Sequence, residues 1–354
     1  MKNVLVTGGA GFIGANFVHY LLGADDQIRI VNLDLLTYAG SLENLGNLPD
    51  ESRHLFVEGD ITDSTLVNRL LSEHQIDTIV HFAAESHVDR SIHGPAPFIQ
   101  TNIVGTFTLL EAARQAWHKD RGGKRFHHVS TDEVFGSLAD NEPPFSETNP
   151  YDPRSPYSAS KAGADHLARA YFHTYQLPVT ITNCSNNYGP YQFPEKLIPL
   201  VILNALQGKP LPVYGDGRQV RDWLYVVDHC EAIHLVIEKG QPGETYNVGG
   251  GNQPYNVDLV REICAILDDL HPDEKSHASL ITHVVDRPGH DRRYAMDTSR
   301  IRNQLGWQPR HDLESGLRQT VQWYIDHPQW IESITAREGY ETWMKRNYAQ
   351  RGAG

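Results

Sequence analysis

The run Lys2-Asn3-Val4-Leu5-Val6-Thr7-Gly8-Gly9-Ala10-Gly11-Phe12-Ile13-Gly14 decides the fold of this chain. Its first six residues are rich in β-formers, and a helical pattern follows the glycines through Leu22. A strand, a glycine turn and a helix in that order form the fingerprint of a dinucleotide-binding fold. Gly8 permits the tight turn, Gly11 lets the backbone approach a pyrophosphate, and Gly14 permits close helix–strand packing. The run therefore predicts a Rossmann-type α/β fold.

An acidic residue stands where such a fold binds the adenine ribose. The second predicted strand, Ile28 to Leu33, is followed by Asp34, which lies 20 residues beyond Gly14. A carboxylate at this position accepts a hydrogen bond from the ribose 2′-hydroxyl. It would also repel a 2′-phosphate, so the pattern predicts NAD rather than NADP. The alternative is a glycine turn that binds no cofactor.

Two more predicted strands end in residues suited to the same ligand. Asp60 follows the strand from Leu55 to Glu58 and either accepts from the adenine amino group or caps the next helix. Ala83 and Ala84 follow the strand from Thr78 to Phe82, where small side chains let a flat ligand pass close to the backbone.

The next predicted strand, Arg125 to Ser130, leads into three residues that carry chemistry: Thr131, Asp132 and Glu133. Ligands of open α/β sheets sit beyond the carboxyl ends of the strands, so we expect these side chains to project into the cleft. Taken alone, two adjacent carboxylates are more typical of an exposed surface than of a cleft.

A helix that begins at Ser155 and Pro156 supplies a phenol and an ammonium. Tyr157 and Lys161 are four residues apart and therefore share a helix face. A nearby ammonium favours phenolate, so we expect a lowered tyrosine pKa and a general base. Such a pair also arises by chance on exposed helices. The presence of the nucleotide-binding fingerprint in the same chain favours a catalytic role for this pair.

Composition limits the function classes. The chain has 354 residues, 40% hydrophobic and 21% charged, as in a soluble globular enzyme. A net charge of −13 argues against nucleic acid or an anionic membrane as partner. No apolar run approaches the roughly 18 residues of a membrane span, and no basic leader precedes the first strand. Three widely spaced cysteines indicate reduced thiols and a cytoplasmic location. We expect no metal, because the 19 histidines show no ligand spacing.

Beyond residue 190 the composition changes to proline-rich joints, short strands and helices. We predict an NAD-binding Rossmann domain over 1–190, with a doubly wound parallel sheet to which a strand near 245–248 returns. A smaller mixed α/β substrate-binding lobe would cover 191–335, and 336–354 would form a C-terminal tail. Two basic clusters, 217–222 and 286–293, suit phosphate oxygens or, alternatively, pair with surface acids.

The glycine fingerprint together with Tyr157-x-x-x-Lys161 resembles the extended short-chain dehydrogenase/reductase superfamily. Further motifs are similar to those of the dTDP-glucose 4,6-dehydratase family, and they extend the resemblance over nearly the whole chain. They are HFAAESHVDRS (81–91), STDEVFG (130–136), NNYGPYQFPEKL (186–197) and DRPGHD (286–291). The Asp132-Glu133 pair discriminates, because related UDP-sugar 4-epimerases lack it and GDP-mannose dehydratases have a different residue before the Glu.

The resemblance implies a redox-neutral dehydration of dTDP-glucose with NAD as catalyst. Tyr157, helped by Lys161, takes the proton of the sugar 4-hydroxyl, and Thr131 hydrogen-bonds the same oxygen. Hydride leaves C4 for NAD, and the resulting ketone acidifies C5–H. Glu133 removes that proton, while protonated Asp132 donates to the leaving 6-hydroxyl. Hydride then returns to C6.

The fingerprint and the resemblance together predict two sets of binding residues. The cofactor set is Gly8, Gly11, Phe12, Ile13, Gly14, Asp34, Leu35, Thr37, Asp60, Ile61, Phe82, Ala83, Ala84, Ser86, Thr101, Tyr157, Lys161 and Asn187. The sugar-nucleotide set is Ser86, Thr131, Asn186, Lys196, Leu197, Pro212, Tyr214, Arg221, Asn256, Asp286, Arg287 and His290. Arg221 is the residue we expect at the diphosphate.

The resemblance also implies a homodimer through a four-helix contact, formed by the long helix from Pro97 to Trp117 and the Tyr157 helix. Three alternatives stay open: a sugar-nucleotide 4-epimerase, a dehydratase that acts on a UDP- or CDP-sugar, and a non-catalytic NAD-binding regulator. A regulator would not need two carboxylates beside a phenol.

Overall fold

The computed structural model of the chain describes residues 1–286, 290–337 and 339–349. Eleven strands are found in these residues. They are β1 (Asn3–Thr7), β2 (Arg29–Asp34), β3 (His54–Glu58), β4 (Thr78–His81), β5 (Arg125–Thr131), β6 (Val179–Cys184), β7 (Asn186–Tyr188), β8 (Leu211–Tyr214), β9 (Trp223–Tyr225), β10 (Thr245–Val248) and β11 (Ile281–Val284).

Helices connect these strands and follow them. The α-helices are α1 (Phe12–Ala24), α2 (Ser64–Glu73), α3 (Val88–His93), α4 (Ala96–Phe98), α5 (Thr106–Ala116), α6 (Pro156–Tyr175), α7 (Leu197–Leu206), α8 (Val226–Lys239), α9 (Asn256–Leu270), α10 (Ser299–Leu305), α11 (Leu313–Asp326), α12 (Pro328–Thr335) and α13 (Tyr340–Ala349). A π-helix covers Ile99–Gly105, and short 3₁₀ turns cover Leu42–Leu45, Glu51–Arg53, Asp132–Phe135 and His277–Leu280.

Seven strands form one parallel sheet in the order β10-β6-β5-β4-β1-β2-β3. Apolar clusters bury both faces, with α1 and α8 on one side and α2, α5 and α6 on the other. Burial on both faces explains why β1 reads as a nearly continuous apolar run. The predicted Rossmann-type fold is confirmed. From β1 the chain winds outward to β3 and then returns to the other side of β1 to form β4. The strand order therefore reverses between β1 and β4, and the crevice beyond the carboxyl ends of these two strands is the expected ligand site.

A second apolar cluster lies outside the main sheet. Helices α7, α9 and α11 contribute its buried side chains, together with the parallel strand pairs β8–β11 and β7–β9. Strand β10 joins the main sheet beside β6, although it lies more than 50 residues later in the chain. The proposed domain limits at residues 190 and 335 stay a prediction.

One helix prediction needs correction. The long helix expected from Pro97 to Trp117 consists of α4, the π-helix and α5 in direct succession. The described part of the predicted C-terminal tail contains the helix α13, Tyr340–Ala349. Among the described helices, none combines the length and apolar character needed to cross a bilayer. The three cysteines are buried free thiols.

Candidate active site

One cleft at the carboxyl ends of the main-sheet strands contains the whole predicted cofactor set and all five predicted catalytic residues. Residues from the turn after β1 to the loop after β7 line it, so segments almost 190 residues apart meet there. Side chains that sequence reasoning did not assign also line it, including Tyr38, Glu85, Cys184, Gln192 and Glu195.

The glycine turn has the shape that a dinucleotide requires. Gly8 adopts φ +73°, and a Cβ there would lie 2.5 Å from the backbone nitrogen of Ala83. A Cβ at Gly14 would collide with the Gly8 carbonyl oxygen, so α1 packs tightly on the turn. Among the described residues, a Cβ built at Gly11 would meet only that same oxygen within 4 Å, at 3.3 Å, apart from the adjoining backbone. The backbone at Gly11 therefore faces open cleft, where a pyrophosphate fits at the start of α1.

Asp34 is held rigidly at the end of β2. Its carboxylate accepts from the backbone N–H of Ala10 at 2.9 Å and of Leu36 at 2.8 Å. Burial raises the pKa of Asp34, and these two hydrogen bonds oppose that shift. The fixed carboxylate suits a ribose hydroxyl. Asp60 lines the same cleft, whereas the cap of α2 is Asp63, so the capping alternative for Asp60 is wrong.

Strand β5 delivers the three central side chains. Thr131 is the last residue of the strand. Its hydroxyl accepts a hydrogen bond from the Glu133 N–H at 3.3 Å and donates one to the Asp132 carboxyl group at 3.2 Å. Asp132 is only 2% exposed. Burial, followed by the charges of Glu133 and Asp222, raises the pKa of Asp132 well above its usual range, and Arg221 opposes the shift. The raised pKa favours the protonated form of Asp132, which is the form that a general acid needs.

Helix α6 begins with a capping box between Ser155 and Ser158, which fixes Tyr157 in the first turn. The expected lowering of the Tyr157 pKa is wrong. Burial, then the charge of Glu133, raises the pKa of Tyr157 well above 10, although a hydrogen bond with Thr131 opposes this. Lys161 donates to the Val129 carbonyl at 2.8 Å, so its ammonium is directed to the end of β5.

A buried acid supports that ammonium from behind. Asp165, one turn after Lys161, lies 3.1 Å from His128 Nε2 and accepts from the Tyr151 hydroxyl at 2.7 Å. Hydrogen bonding and the charges of His128 and Lys161 outweigh burial and lower the pKa of Asp165 to about 2. Burial lowers the pKa of Lys161, and the Asp165 charge counteracts this. The Asp165 carboxylate thus favours the ammonium form of Lys161.

The predicted sugar-nucleotide residues fall into two groups. Ser86, Thr131, Asn186 and Lys196 line the cleft itself. The others lie outside its lining, on α7, on β8, at the start of α9 and in the two basic clusters; they are Leu197, Pro212, Tyr214, Arg221, Asn256, Asp286 and His290. Arg287 falls outside the described residues.

Within the second group, side chains of the two basic clusters contact one another. Asp286 accepts from Gln219 at 2.7 Å and lies 2.6 Å from His290 Nδ1. The Arg221 guanidinium lies 4.4 Å from the centre of the Tyr294 ring and donates to the Asp291 carbonyl at 3.0 Å. Segments separated by some 70 residues in sequence thus meet, and the Arg221 charge acts on Asp132.

The comparisons with known proteins agree with this geometry. Residues 5–320 match the family model described as GDP-mannose 4,6 dehydratase. The dTDP-glucose 4,6-dehydratase of Shigella flexneri is 54% identical over 98% of this chain and 99% of its own. That of Xanthomonas campestris pv. campestris (strain B100) is 59% identical over 94% and 96%.

The chain belongs to the dTDP-glucose 4,6-dehydratase family. Among solved structures of that family, DesIV of Streptomyces venezuelae, determined with NAD and dTDP bound, is 48% identical and superposes with a TM-score of 0.86. The match covers 94% of this chain and all of DesIV. The likeness to the dTDP-glucose 4,6-dehydratase family therefore includes both the sheet and the smaller lobe.

Sequence reasoning missed residues that support the site through tertiary contacts. The clearest is Asn102, in the π-helix, whose side-chain amide accepts from the Glu85 N–H and donates to the Glu85 carbonyl, both at 2.9 Å. It also donates to Ser160 at 2.8 Å. Asn102 thus ties the loop after β4 to α6. No local sequence pattern around residue 102 predicts these contacts, because Glu85 and Ser160 are both distant from it in sequence.

Proposed function

We propose that this chain is an NAD-dependent hydro-lyase that converts dTDP-glucose to dTDP-4-keto-6-deoxyglucose and water. The observation that carries the proposal is the buried Asp132, whose raised pKa favours its protonated form, beside Glu133 in one cleft with Tyr157 and a dinucleotide turn. A simple dehydrogenase or a 4-epimerase needs no acid of this kind. An elimination needs both an acid and a base.

Each side chain acts at a defined atom of the sugar. When bound, NAD supplies a hydride acceptor for C4 and later the donor for C6, so it is regenerated in every cycle. Tyr157 takes the proton of the 4-hydroxyl, and Thr131 hydrogen-bonds the same oxygen. Glu133 removes the C5 proton once C4 is a ketone, and Asp132 protonates the leaving 6-hydroxyl. Glu133 then returns a proton to C5.

Tyr157 needs a nearby positive charge to act as a base, because its pKa is raised. Burial and the charges of Glu133 and Asp132 favour the protonated phenol. The positive charge of oxidised nicotinamide and the Lys161 ammonium favour phenolate, because an opposite charge stabilises the ionised form. Deprotonation is thereby coupled to occupation of the cofactor site.

Substrate recognition is proposed for the residues of the predicted sugar-nucleotide set. Lys196, in the cleft, carries a positive charge toward the pyrophosphate, and Arg221 supplies a second from beside Asp132. Arginine and lysine bind phosphate oxygens by charge-assisted hydrogen bonds. The protein as a whole is strongly acidic, with a net charge of −13, so these cations are needed to attract an anionic sugar nucleotide.

The deciding experiment incubates the purified protein separately with dTDP-glucose, UDP-glucose and CDP-glucose, without added NAD, and determines product mass. We expect dTDP-glucose alone to lose the mass of one water at a useful rate. An epimerase would leave the mass unchanged, and a dehydratase of other specificity would act on another nucleotide. Absence of any product with all three sugars would favour the regulator.

We also propose a homodimer located in the cytoplasm. Exposed apolar side chains follow the π-helix and α5: Ile99, Val104 and Phe107 are 47%, 36% and 46% exposed. Large apolar side chains aligned on one helix surface commonly mark a protein interface. This surface belongs to the helix that the sequence assigned to the dimer contact.

A further inference from the structure

Arg90, on α3, lies between two aromatic rings at the edge of the cofactor cleft. Its guanidinium carbon is 3.8 Å from the centre of the Tyr38 ring and 4.3 Å from that of the Trp343 ring. Its Nε and Nη2 both donate to one carboxylate oxygen of Glu195, at 3.2 and 3.0 Å. The side chain is 23% exposed, so solvent screens this ion pair only in part.

The partners of Arg90 come from loops that line the cofactor cleft. Tyr38 follows β2, Glu195 follows β7, and both face the cleft. The Tyr38 phenol hydrogen-bonds the side chains of Ser86 and Glu195. Lys196 donates to the Ser86 carbonyl at 3.4 Å. Three separate loops, after β2, β4 and β7, are therefore joined through one guanidinium and one carboxylate.

Helix α13 closes this cluster from outside. Trp343, 9% exposed, covers the outer face of the Arg90 guanidinium and contacts the His87 ring edge-on at 5.7 Å. Tyr340 donates to the Pro194 carbonyl at 3.2 Å and packs edge-on against Phe193. The tail that sequence reasoning treated as peripheral is thus packed against the two residues that precede Glu195.

We propose that Arg90 is a positioning residue that, with Trp343, holds the three loops closed over bound NAD and so retains the cofactor between turnovers. Arg90 contributes no atom to the reaction. A cation stacked on aromatic rings and bonded to a carboxylate fixes loops firmly, because each contact restricts the same side chain. Retention matters here because the reaction returns NAD to its starting state. The inference rests only on the NAD-binding part of the proposed function.

The test compares Arg90→Gln and Trp343→Ala with the unmodified protein and with Arg300→Gln. Arg300 is a matched control, since it is 24% exposed and pairs with Glu147 and Glu244 away from the cleft. NAD bound per chain after gel filtration and the rate of NAD dissociation into excess competing nucleotide are measured without any sugar substrate. We expect Arg90→Gln and Trp343→Ala to release NAD about tenfold faster.

Two further readouts separate positioning from general damage. Excess NAD should restore kcat of Arg90→Gln with dTDP-glucose, and Trp343→Phe, which keeps a ring over the guanidinium, should recover most of the retention. The proposal is wrong if Arg90→Gln releases NAD at the normal rate, or if Arg300→Gln releases it equally fast. Loss of kcat that NAD does not restore would also overturn it. Because NAD release is measured without sugar, the two outcomes on NAD release stand whatever the substrate is.

Discussion

At the scale of single residues, the burial of Asp132 determines when it can act. A carboxyl with a raised pKa donates its proton only below that pKa, so the elimination step should slow as the pH rises through it. Tyr157 imposes the opposite limit, because its base form appears only as the pH rises. The two groups together predict a bell-shaped dependence of turnover on pH.

The first prediction concerns the acid. Asp132→Asn keeps the hydrogen-bonding shape but cannot transfer a proton, so dehydration should slow by about 10²–10⁴-fold. C4 oxidation should continue, seen as reduced nicotinamide accumulating in a single turnover. Asp152→Asn, a variant of an exposed carboxylate, serves as control. Equal loss of oxidation and dehydration in Asp132→Asn would remove Asp132 from the acid role.

The second prediction concerns the base beside it. Glu133→Gln removes the group assigned to the C5 proton, so the exchange of that hydrogen with solvent deuterium should fall by about 10²-fold or more. Mass spectrometry of product formed in deuterated water measures it. Exchange that persists at the normal rate in Glu133→Gln would assign the proton transfer to another group.

The sequence predicted which side chains meet and that Asp132 favours its protonated form, but not the electrostatic state of Tyr157. Thr131, Asp132, Glu133 and Tyr157 lie in one cleft. This arrangement was predictable because local sequence patterns indicate where strands end and helices begin. The pKa of Tyr157 was predicted in the wrong direction, because spacing along a helix does not reveal burial or where the Lys161 ammonium points. Those properties depend on the packing of other elements.

At the scale of elements, the π-helix shows what local patterns leave out. Its seven residues, Ile99–Gly105, follow the same apolar pattern as the α-helices on either side. Its wider turn places Thr101 at the cleft and Asn102 against the Glu85 backbone. Such segments often occur at functional sites, where they redirect one or two side chains.

The third prediction belongs to this element. Asn102→Ala removes three side-chain hydrogen bonds and leaves the backbone groups of Glu85 without those partners, which should cost roughly 3 kcal/mol of folding stability. Chemical denaturation measures the loss. Asn68→Ala, on the exposed face of α2, removes only one bond to the Ser64 carbonyl and should change stability little. Equal effects of the two variants would refute the role assigned to Asn102.

At the scale of the whole molecule, the predictability of the chain follows from sequence distance. Strand, turn and helix signals are local, and they were sufficient for the sheet and for the cofactor fingerprint. The cluster around Arg90 joins residues 38, 90, 195 and 343. Neighbouring members of this set are about 50 residues or more apart in sequence, so no local pattern includes two of them. Only the folded chain brings them together.

The last prediction tests how two such molecules associate. If the exposed apolar surface of the π-helix and α5 forms the dimer, Phe107→Glu would bury a charge there without a partner, which is strongly unfavourable. We expect the variant to elute as a monomer in size-exclusion chromatography with light scattering, while the unmodified chain elutes as a dimer. Leu55→Glu is the control, because Leu55 is 44% exposed on edge strand β3, outside the proposed contact. A dimer that survives Phe107→Glu, or one lost in Leu55→Glu, would place the contact elsewhere.

Since α6 packs on α5 and carries Tyr157, a monomer that retains full activity would further show that each cleft works without its partner.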